Sequence, residues 1–428
     1  MANDFDRRTF LKRSGAAALM SAPAFVSARG ANDKVTIGWI GVGTRGNAGL
    51  GWLKEAAGDK VQVTAVCDTY QGYIARAKDR VQTLYGNTPA TYVDYHDLLK
   101  DKSIDAVFIM TPEHLHHSMT LAALAAGKHV YIEKPLAHTI EEGAEIVKAW
   151  QKSGKVVQVG TQNRSSSLYK KAKEMVDKGM IGDCHYVRAF WYRNSPNNDP
   201  AWRYVIPGDT NEQNTDWNRF LGPAKKRPFD KHRYFQWRLY WDYSGGISTD
   251  LLVHQTDITN FVMSKTVPST CVASGGIYRW VGKDDDREVP DTLSAIYEYP
   301  NRFHINYSCY FGNDHFGYGE QFCGNEGTIE VLNRQDLYFS PELLRGKASE
   351  EVKARAPIHL NGRKDFNEND GAINHFRNFI EAVLGQAQVI APPTVGQQAA
   401  ISGHMATLAY KSGKKVQWDE RTEKVRFL

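Results

Sequence analysis

The sequence predicts an α/β protein of two domains: a doubly wound parallel sheet, then an α+β domain whose open sheet is largely antiparallel. Three observations carry this. From residue 35 to 162, short β-rich apolar runs alternate with polar-faced stretches of helical length, the pattern of a parallel sheet covered by helices on both faces. After about residue 165 the runs lengthen and alternate apolar with polar, as strands with one solvated face do. The chain also has 428 residues, more than a single core ordinarily organises.

In chain order, residues 1–28 read as an export signal rather than as part of the fold. Asp6-Arg7-Arg8-Thr9-Phe10-Leu11-Lys12 carries a twin arginine, an Ala-rich and weakly apolar stretch runs from 14 to 25, and Val26-Ser27-Ala28 offers a small-residue cleavage site. This predicts a periplasmic or secreted protein delivered by the twin-arginine export machinery. The apolar stretch is too short to span a bilayer, no later run reaches the roughly 18 residues a span needs, and no Cys follows it, so no membrane anchor is expected. Beyond residue 28 the chain holds 49 basic and 46 acidic residues with no basic stripe, which argues against nucleic acid as a partner. The five cysteines are scattered and lack CxxC spacing, so they give neither a metal nor a redox motif.

The first domain, 34–162, has strand-like runs at 35–40, 61–67, 106–110, 129–132 and 156–160, with helical stretches such as 115–126 and 140–152 between them. The second, 163–384, has alternating segments at 184–192, 294–299, 303–311 and 328–331, a helix around 249–263 and a last long helix at 372–384. Residues 385–428 read as a C-terminal extension packing on the rest, with a helix at 397–410 after a loop at Pro392-Pro393.

The first strand runs into Gly41-Val42-Gly43-Thr44-Arg45-Gly46, a G-x-G-x-x-G loop between strand and helix. Gly41 permits the tight turn, Gly43 lets the backbone approach a pyrophosphate, and Gly46 allows close helix–strand packing. Exposed N–H groups at the helix start, including those of Thr44 and Arg45, favour the phosphates. Asp68 ends the second strand, where a carboxylate can bind ribose hydroxyls and repel a 2′-phosphate, so the expected cofactor is NAD in a Rossmann domain.

Two further strand ends point to the same carboxyl edge: Thr111-Pro112-Glu113-His114-Leu115-His116 and Glu133-Lys134-Pro135. Thr111, Pro112, His116, Glu133 and Lys134 are therefore candidate cofactor contacts. An ammonium at Lys134, beside the expected nicotinamide, can stabilise an alcohol oxygen as it becomes a carbonyl. Further on, Gly245-Gly246 precedes Asp250, His254 and Asp257, whose spacings of four and three predict one helix face. A histidine with a neighbouring carboxylate suits proton transfer near neutral pH. The same spacing also suits metal ligands or a structural polar cluster; no metal is assigned.

These motifs together resemble the Gfo/Idh/MocA oxidoreductase family over roughly residues 34–384. The resemblance rests on the glycine loop, Asp68, Thr111-Pro112 with His116, residues 126–130 leading into Glu133-Lys134-Pro135, and Gly245-Gly246 through Asp250 and His254. It implies that Lys134, Asp250 and His254 act together on a sugar or cyclitol hydroxyl, with His254 as proton acceptor. It also implies a homodimer or homotetramer built through the open sheet, and a substrate contact near Gln162-Asn163-Arg164.

Between 185 and 243, 15 of 59 residues are aromatic against 11% for the chain, enough to suggest a wall for sugar rings, although packing and subunit contacts would use the same residues. Trp241, Arg193, Arg238 and Asp242 in this segment, with Asp257, are candidate substrate contacts; His375 is an ambiguous one. The function these readings imply is an exported NAD-dependent sugar or polyol oxidoreductase whose tightly bound cofactor is recycled in place. The alternative is an NAD-dependent glycoside hydrolase or lyase that oxidises its sugar transiently. Family members with that activity differ from this chain in lacking the Glu133-Lys134-Pro135 stretch.

Overall fold

The computed structural model describes residues 34–282, 285–368 and 371–428, so the export signal expected at 1–28 lies outside the described residues. The first domain holds β1 (Val35–Ile40), β2 (Val61–Cys67), β3 (Ala90–Tyr92), β4 (Ala106–Ile109), β5 (His129–Ile132) and β6 (Val157–Val159). Its principal helices are α1 (Thr44–Ala57), α2 (Gln71–Tyr85), α3 (His116–Ala125) and α4 (Ile140–Ser153). All strand pairs are parallel, in the order β3-β2-β1-β4-β5-β6. The order reverses between β1 and β4, and the carboxyl ends of these two strands open the crevice in which such sheets bind ligands. β4 is buried along its whole length, as a strand covered on both faces must be. Local chemistry sets the helix ends: Thr139 and Glu142 form a reciprocal capping box on α4, and Gly154 closes it in the left-handed conformation.

The second domain contains α5 (Ser167–Asp177), β7 (Cys184–Tyr192), α6 (Val253–Val262), β8 (Thr270–Gly276), β9 (Thr292–Tyr299), β10 (Phe303–Tyr310), β11 (Tyr318–Gly324), β12 (Gly327–Leu332), β13 (Asp336–Pro341) and β14 (Ile358–Asn361). After it come α7 (Ala372–Val383), α8 (Pro393–Ser412), β15 (Val416–Asp419) and β16 (Lys424–Phe427). The ten strands form one sheet, β14-β13-β12-β11-β7-β10-β9-β8-β15-β16, in which only β7 and β10 run parallel. Burial alternates strictly along β9 and β10, so one face meets α5, α6 and α8 while the other is open.

The structure differs from the sequence reading in three places. First, α7 packs on α1 and inserts Phe376, Phe379 and Ile380 among Trp39, Phe108 and Tyr131, so it completes the core of the first domain rather than the second. Second, residues 385–428 are not an appendage, because α8 fills the core of the second domain and β15-β16 extend its sheet. Third, Pro393 is no loop residue. It opens α8, where its missing N–H would have had no helical partner. The five cysteines are all free thiols, with Cys67, Cys271 and Cys309 in the core.

Candidate active site

A cavity of about 520 Å³ lies between the carboxyl edge of the parallel sheet and the second domain. Its first half is made by backbone. Gly41 sits at φ 86°, and a Cβ there would meet the Met110 carbonyl at 2.8 Å. Gly46 packs so closely that a Cβ would stand 2.0 Å from the Gly41 oxygen. Gly43, Thr44 and Arg45 line the cavity, and α1 starts at Thr44 with no side chain capping its first N–H groups. That is the donor set a pyrophosphate requires.

Asp68 lines the cavity beside this loop and accepts from Val42 N–H at 2.8 Å and Tyr70 N–H at 3.1 Å. Burial raises its carboxyl above the ordinary value, although these bonds oppose the shift. The Tyr234 hydroxyl, from the aromatic segment, donates to Asp68 at 3.0 Å. Part of that segment therefore covers the ribose end of the cavity rather than forming only a substrate wall. Thr111 and Pro112 also line the cavity, and Arg45 Nε donates to Glu133 at 2.8 Å. Burial pushes the Glu133 carboxyl up, but Arg45 and Lys134 outweigh it and hold the group below its usual range. These residues fit the dinucleotide that the glycine loop predicts.

His116 does not line the cavity. Its Nδ1 faces the Pro135 carbonyl at 2.7 Å and its Nε2 the Thr111 carbonyl at 3.0 Å, so it ties two cavity loops together from behind. Its expected role as a cofactor contact gives way to one in positioning.

The second half is made by side chains. Lys134 Nζ donates to the Asp250 carbonyl at 2.6 Å and to Asp250 Oδ1 at 2.9 Å, and Arg238 Nε donates to the same Oδ1 at 3.1 Å. Burial would raise the Asp250 carboxyl, but these two cations hold it well below the usual range. Residues 248–252 form one wide π turn before α6, and such turns re-aim backbone carbonyls at functional sites. Glu113 holds that turn in place, accepting from Ser244 Oγ at 3.0 Å, Gly245 N–H at 3.1 Å and Thr249 Oγ1 at 2.8 Å. Burial lifts the Glu113 carboxyl to about 7.

His254 lines the same cavity, but Asp250 does not orient it: that carboxylate is committed to Lys134 and Arg238. The His254 Nδ1 is buried without a hydrogen-bond partner. Burial, reinforced by the Arg334 and Lys134 charges, keeps the imidazole well below its ordinary pKa and hence neutral.

Of the remaining candidates, Gln162, Arg193 and Arg238 reach the cavity, whereas Asn163, Arg164, Trp241 and Asp257 do not. Arg164 Nε donates to both Asp257 oxygens, at 2.8 and 2.9 Å, so two expected substrate contacts are a buried ion pair. Trp241 lies under the Lys411 ammonium at 3.8 Å, and Asp242 pairs with Arg227 and Arg233. His375 is spent on Ser165 and the Val159 carbonyl. Sequence reasoning missed Tyr318 and Arg334, which line the cavity from the start of β11 and the turn after β12. Arg334 is in the turn after β12, a position whose only sequence signal is Asn333. No cluster of residues able to hold a metal ion is found among the described residues.

Family comparison matches residues 35–161 to an oxidoreductase-family NAD-binding Rossmann fold and residues 173–418 to the C-terminal α/β domain of the same family. An inositol 2-dehydrogenase of Salmonella paratyphi B is 36% identical over 159 residues, which cover 37% of this chain and 46% of that protein. A glycosyl hydrolase family 109 protein of Shewanella baltica is 32% identical over 178 residues, covering 36% and 38%. The matched stretch is thus less than half the length of either relative. The fold is similar to that of a levoglucosan dehydrogenase solved with NADH and levoglucosan, with a TM-score of 0.68 at 18% identity over 90% of this chain and 99% of that one. With both of its domains matched, the chain belongs to the Gfo/Idh/MocA oxidoreductase family and carries that family's NAD-binding Rossmann domain.

Proposed function

We propose that this chain is an NAD-dependent oxidoreductase of a sugar or polyol hydroxyl. The observation that carries the reading is the Lys134 ammonium, fixed on Asp250 at 2.6 and 2.9 Å in the cavity that neutral His254 also lines. NAD supplies the hydride acceptor; Gly41, Gly43, Thr44, Arg45 and Asp68 would hold it. Two of the three Lys134 donors are occupied by Asp250, which leaves one for the substrate oxygen. His254 accepts the hydroxyl proton while Lys134 stabilises the oxygen as the C–O bond gains double-bond character. Asp250 and Arg238 keep the ammonium in place.

The twin arginine at Arg7-Arg8 supports export to the periplasm or beyond with the cofactor already bound. Free dinucleotide is scarce there, so a second substrate would reset the cofactor in place. A homodimer or homotetramer through the open face of the ten-stranded sheet is supported by the half-exposed Tyr186, Val272, Ile296 and Tyr338 on its strands.

Purified full-length chain should release NAD(H) on denaturation. Sugars and polyols should then change the reduced-nicotinamide absorbance, and a second carbonyl substrate should reverse the change. The family 109 relative favours one other reading, transient oxidation of a glycoside without net redox change. Aglycone release from aryl glycosides at constant cofactor absorbance would establish that reading in place of the dehydrogenase.

A further inference from the structure

The cationic side chains of the cavity divide into paired and unpaired. Arg45 is paired with Glu133, Lys134 and Arg238 with Asp250, and Arg219 with Asp94 and Asp216. Arg193 and Arg334 take part in no ion pair among the described residues, and both converge on Trp191. The Arg193 guanidinium stands 5.0 Å from that ring and the Arg334 guanidinium 5.2 Å from it. Arg334 also lies 5.4 Å from Tyr318, whose ring stacks on Trp191 at 4.5 Å. Trp191 is in turn 5.9 Å from the His254 ring, so the two guanidinium groups flank the reacting end of the cavity.

Arg334 is held there against two costs. Its Nε and Nη2 are buried with no hydrogen-bond partner, so the ring faces of Trp191 and Tyr318 are all that offset the lost hydration. Its backbone is left-handed at φ 58°, next to Asn333 at φ 52°, in a hairpin turn that favours Asn and Gly over residues with long side chains. The turn is docked rather than loose: Asn333 N–H donates to the Tyr318 carbonyl at 2.7 Å, and Tyr318 N–H donates to Asn333 Oδ1 at 3.2 Å. Glu320, a buried carboxyl near enough to feel the Arg334 charge, is no counter-ion. It accepts from the Tyr169 hydroxyl at 2.6 Å, and burial raises it to about 8. Unsatisfied, strained groups of this kind concentrate where a ligand completes them.

We propose that Arg334 and Arg193 bind an oxyanion on the substrate, so that the molecule oxidised is an anionic sugar, carrying a carboxylate or a phosphate ester, rather than a neutral one. The planar fork of each guanidinium matches such a group, and the Trp191 and Tyr318 faces match the apolar face of the ring. The inference rests on the sugar-oxidoreductase reading above for the identity of the ring.

The test uses the full NAD-loaded chain and matched probes: glucose, glucuronate and a glucose phosphate, and the corresponding galactose set. Binding is read from tryptophan fluorescence, hydride transfer from the nicotinamide absorbance. The expected result is that a uronate or a sugar phosphate binds at least about tenfold more tightly than its neutral parent. Arg334→Gln should erase that preference, and Arg334→Lys should restore part of it. Arg193→Gln gives an independent loss of the same preference should the turn variant fold poorly. Which anion gains identifies the oxyanion. Equal binding of neutral and anionic sugars, binding of no probe at all, or equal weakening of both classes by Arg334→Gln overturns the proposal. An anionic preference without hydride transfer leaves it standing and sinks the dehydrogenase reading; hydride transfer from neutral sugars alone does the reverse.

Discussion

The two halves of the cavity bind by different means. The glycine loop is continuous in sequence and works through backbone: Gly41 turns, Gly46 lets α1 approach, and no side chain caps the first N–H groups of α1. The facing half draws Lys134 from the end of β5, Asp250 and His254 from one helix start, Trp191 from β7, Tyr318 from β11 and Arg334 from the turn after β12. Trp191 and Tyr318 meet only because β7 and β11 are neighbours in register, a fact of sheet pairing with no local signature. Backbone sites thus leave glycines in the sequence, whereas side-chain sites leave scattered residues.

The largest expected effect separates the halves outright. Lys134→Met should lower turnover by about a thousandfold while bound NAD survives denaturing extraction. Gly46→Val, which forces a side chain onto the Gly41 oxygen, should instead yield protein with little bound NAD. Cofactor loss from the lysine variant, or full activity in it, would break the division.

Next in size is the buried pair that the sequence placed in the substrate site. Asp257→Ala leaves Arg164 buried and uncompensated, and should cost about 3–5 kcal/mol of stability in denaturant unfolding. The surviving folded enzyme should keep its KM. A raised KM with unchanged stability would return these residues to the substrate.

Smaller effects come from titration. His254 is held below its ordinary pKa by burial and by Arg334, Lys134 and Arg45, with Asp250 pulling the other way. The acid limb of the pH–rate profile should therefore fall below 6.5, and Arg334→Gln should move it upward. A downward move would mean that another group controls the limb. In the second domain, the folded Glu320 carboxyl sits at about 8 against 4.5 ordinarily. The folded state holds a proton that the unfolded state releases between these values, so stability is fully present below about pH 4.5 and declines as pH rises towards 8. Glu320→Gln should flatten that decline in thermal unfolding.

The parallel sheet, the glycine loop and the positions of Lys134, Asp250 and His254 in one cavity were legible because each lies on a short element with its own pattern. The destination of α7 was not, because an amphipathic helix carries no mark of which sheet it will cover. The face shared by Asp250, His254 and Asp257 was misread because helical spacing assumes a regular turn. The π turn and the Arg164 guanidinium divide that face, sending Asp257 into the core. Arg334 was invisible because a hairpin turn reads as punctuation, and its value lies in the ring stack it meets across two strands.

Hydride transfer at a site built on Lys134 can be followed by isotope. A sugar substrate carrying deuterium at the reacting carbon is mixed with NAD-loaded chain, and the extracted nicotinamide is weighed by mass spectrometry. Deuterium should appear in the reduced cofactor from the wild-type chain and not in that from Lys134→Met with NAD still bound. Deuterium that stays on the converted sugar or passes to solvent, with the cofactor unlabelled, would contradict hydride transfer there.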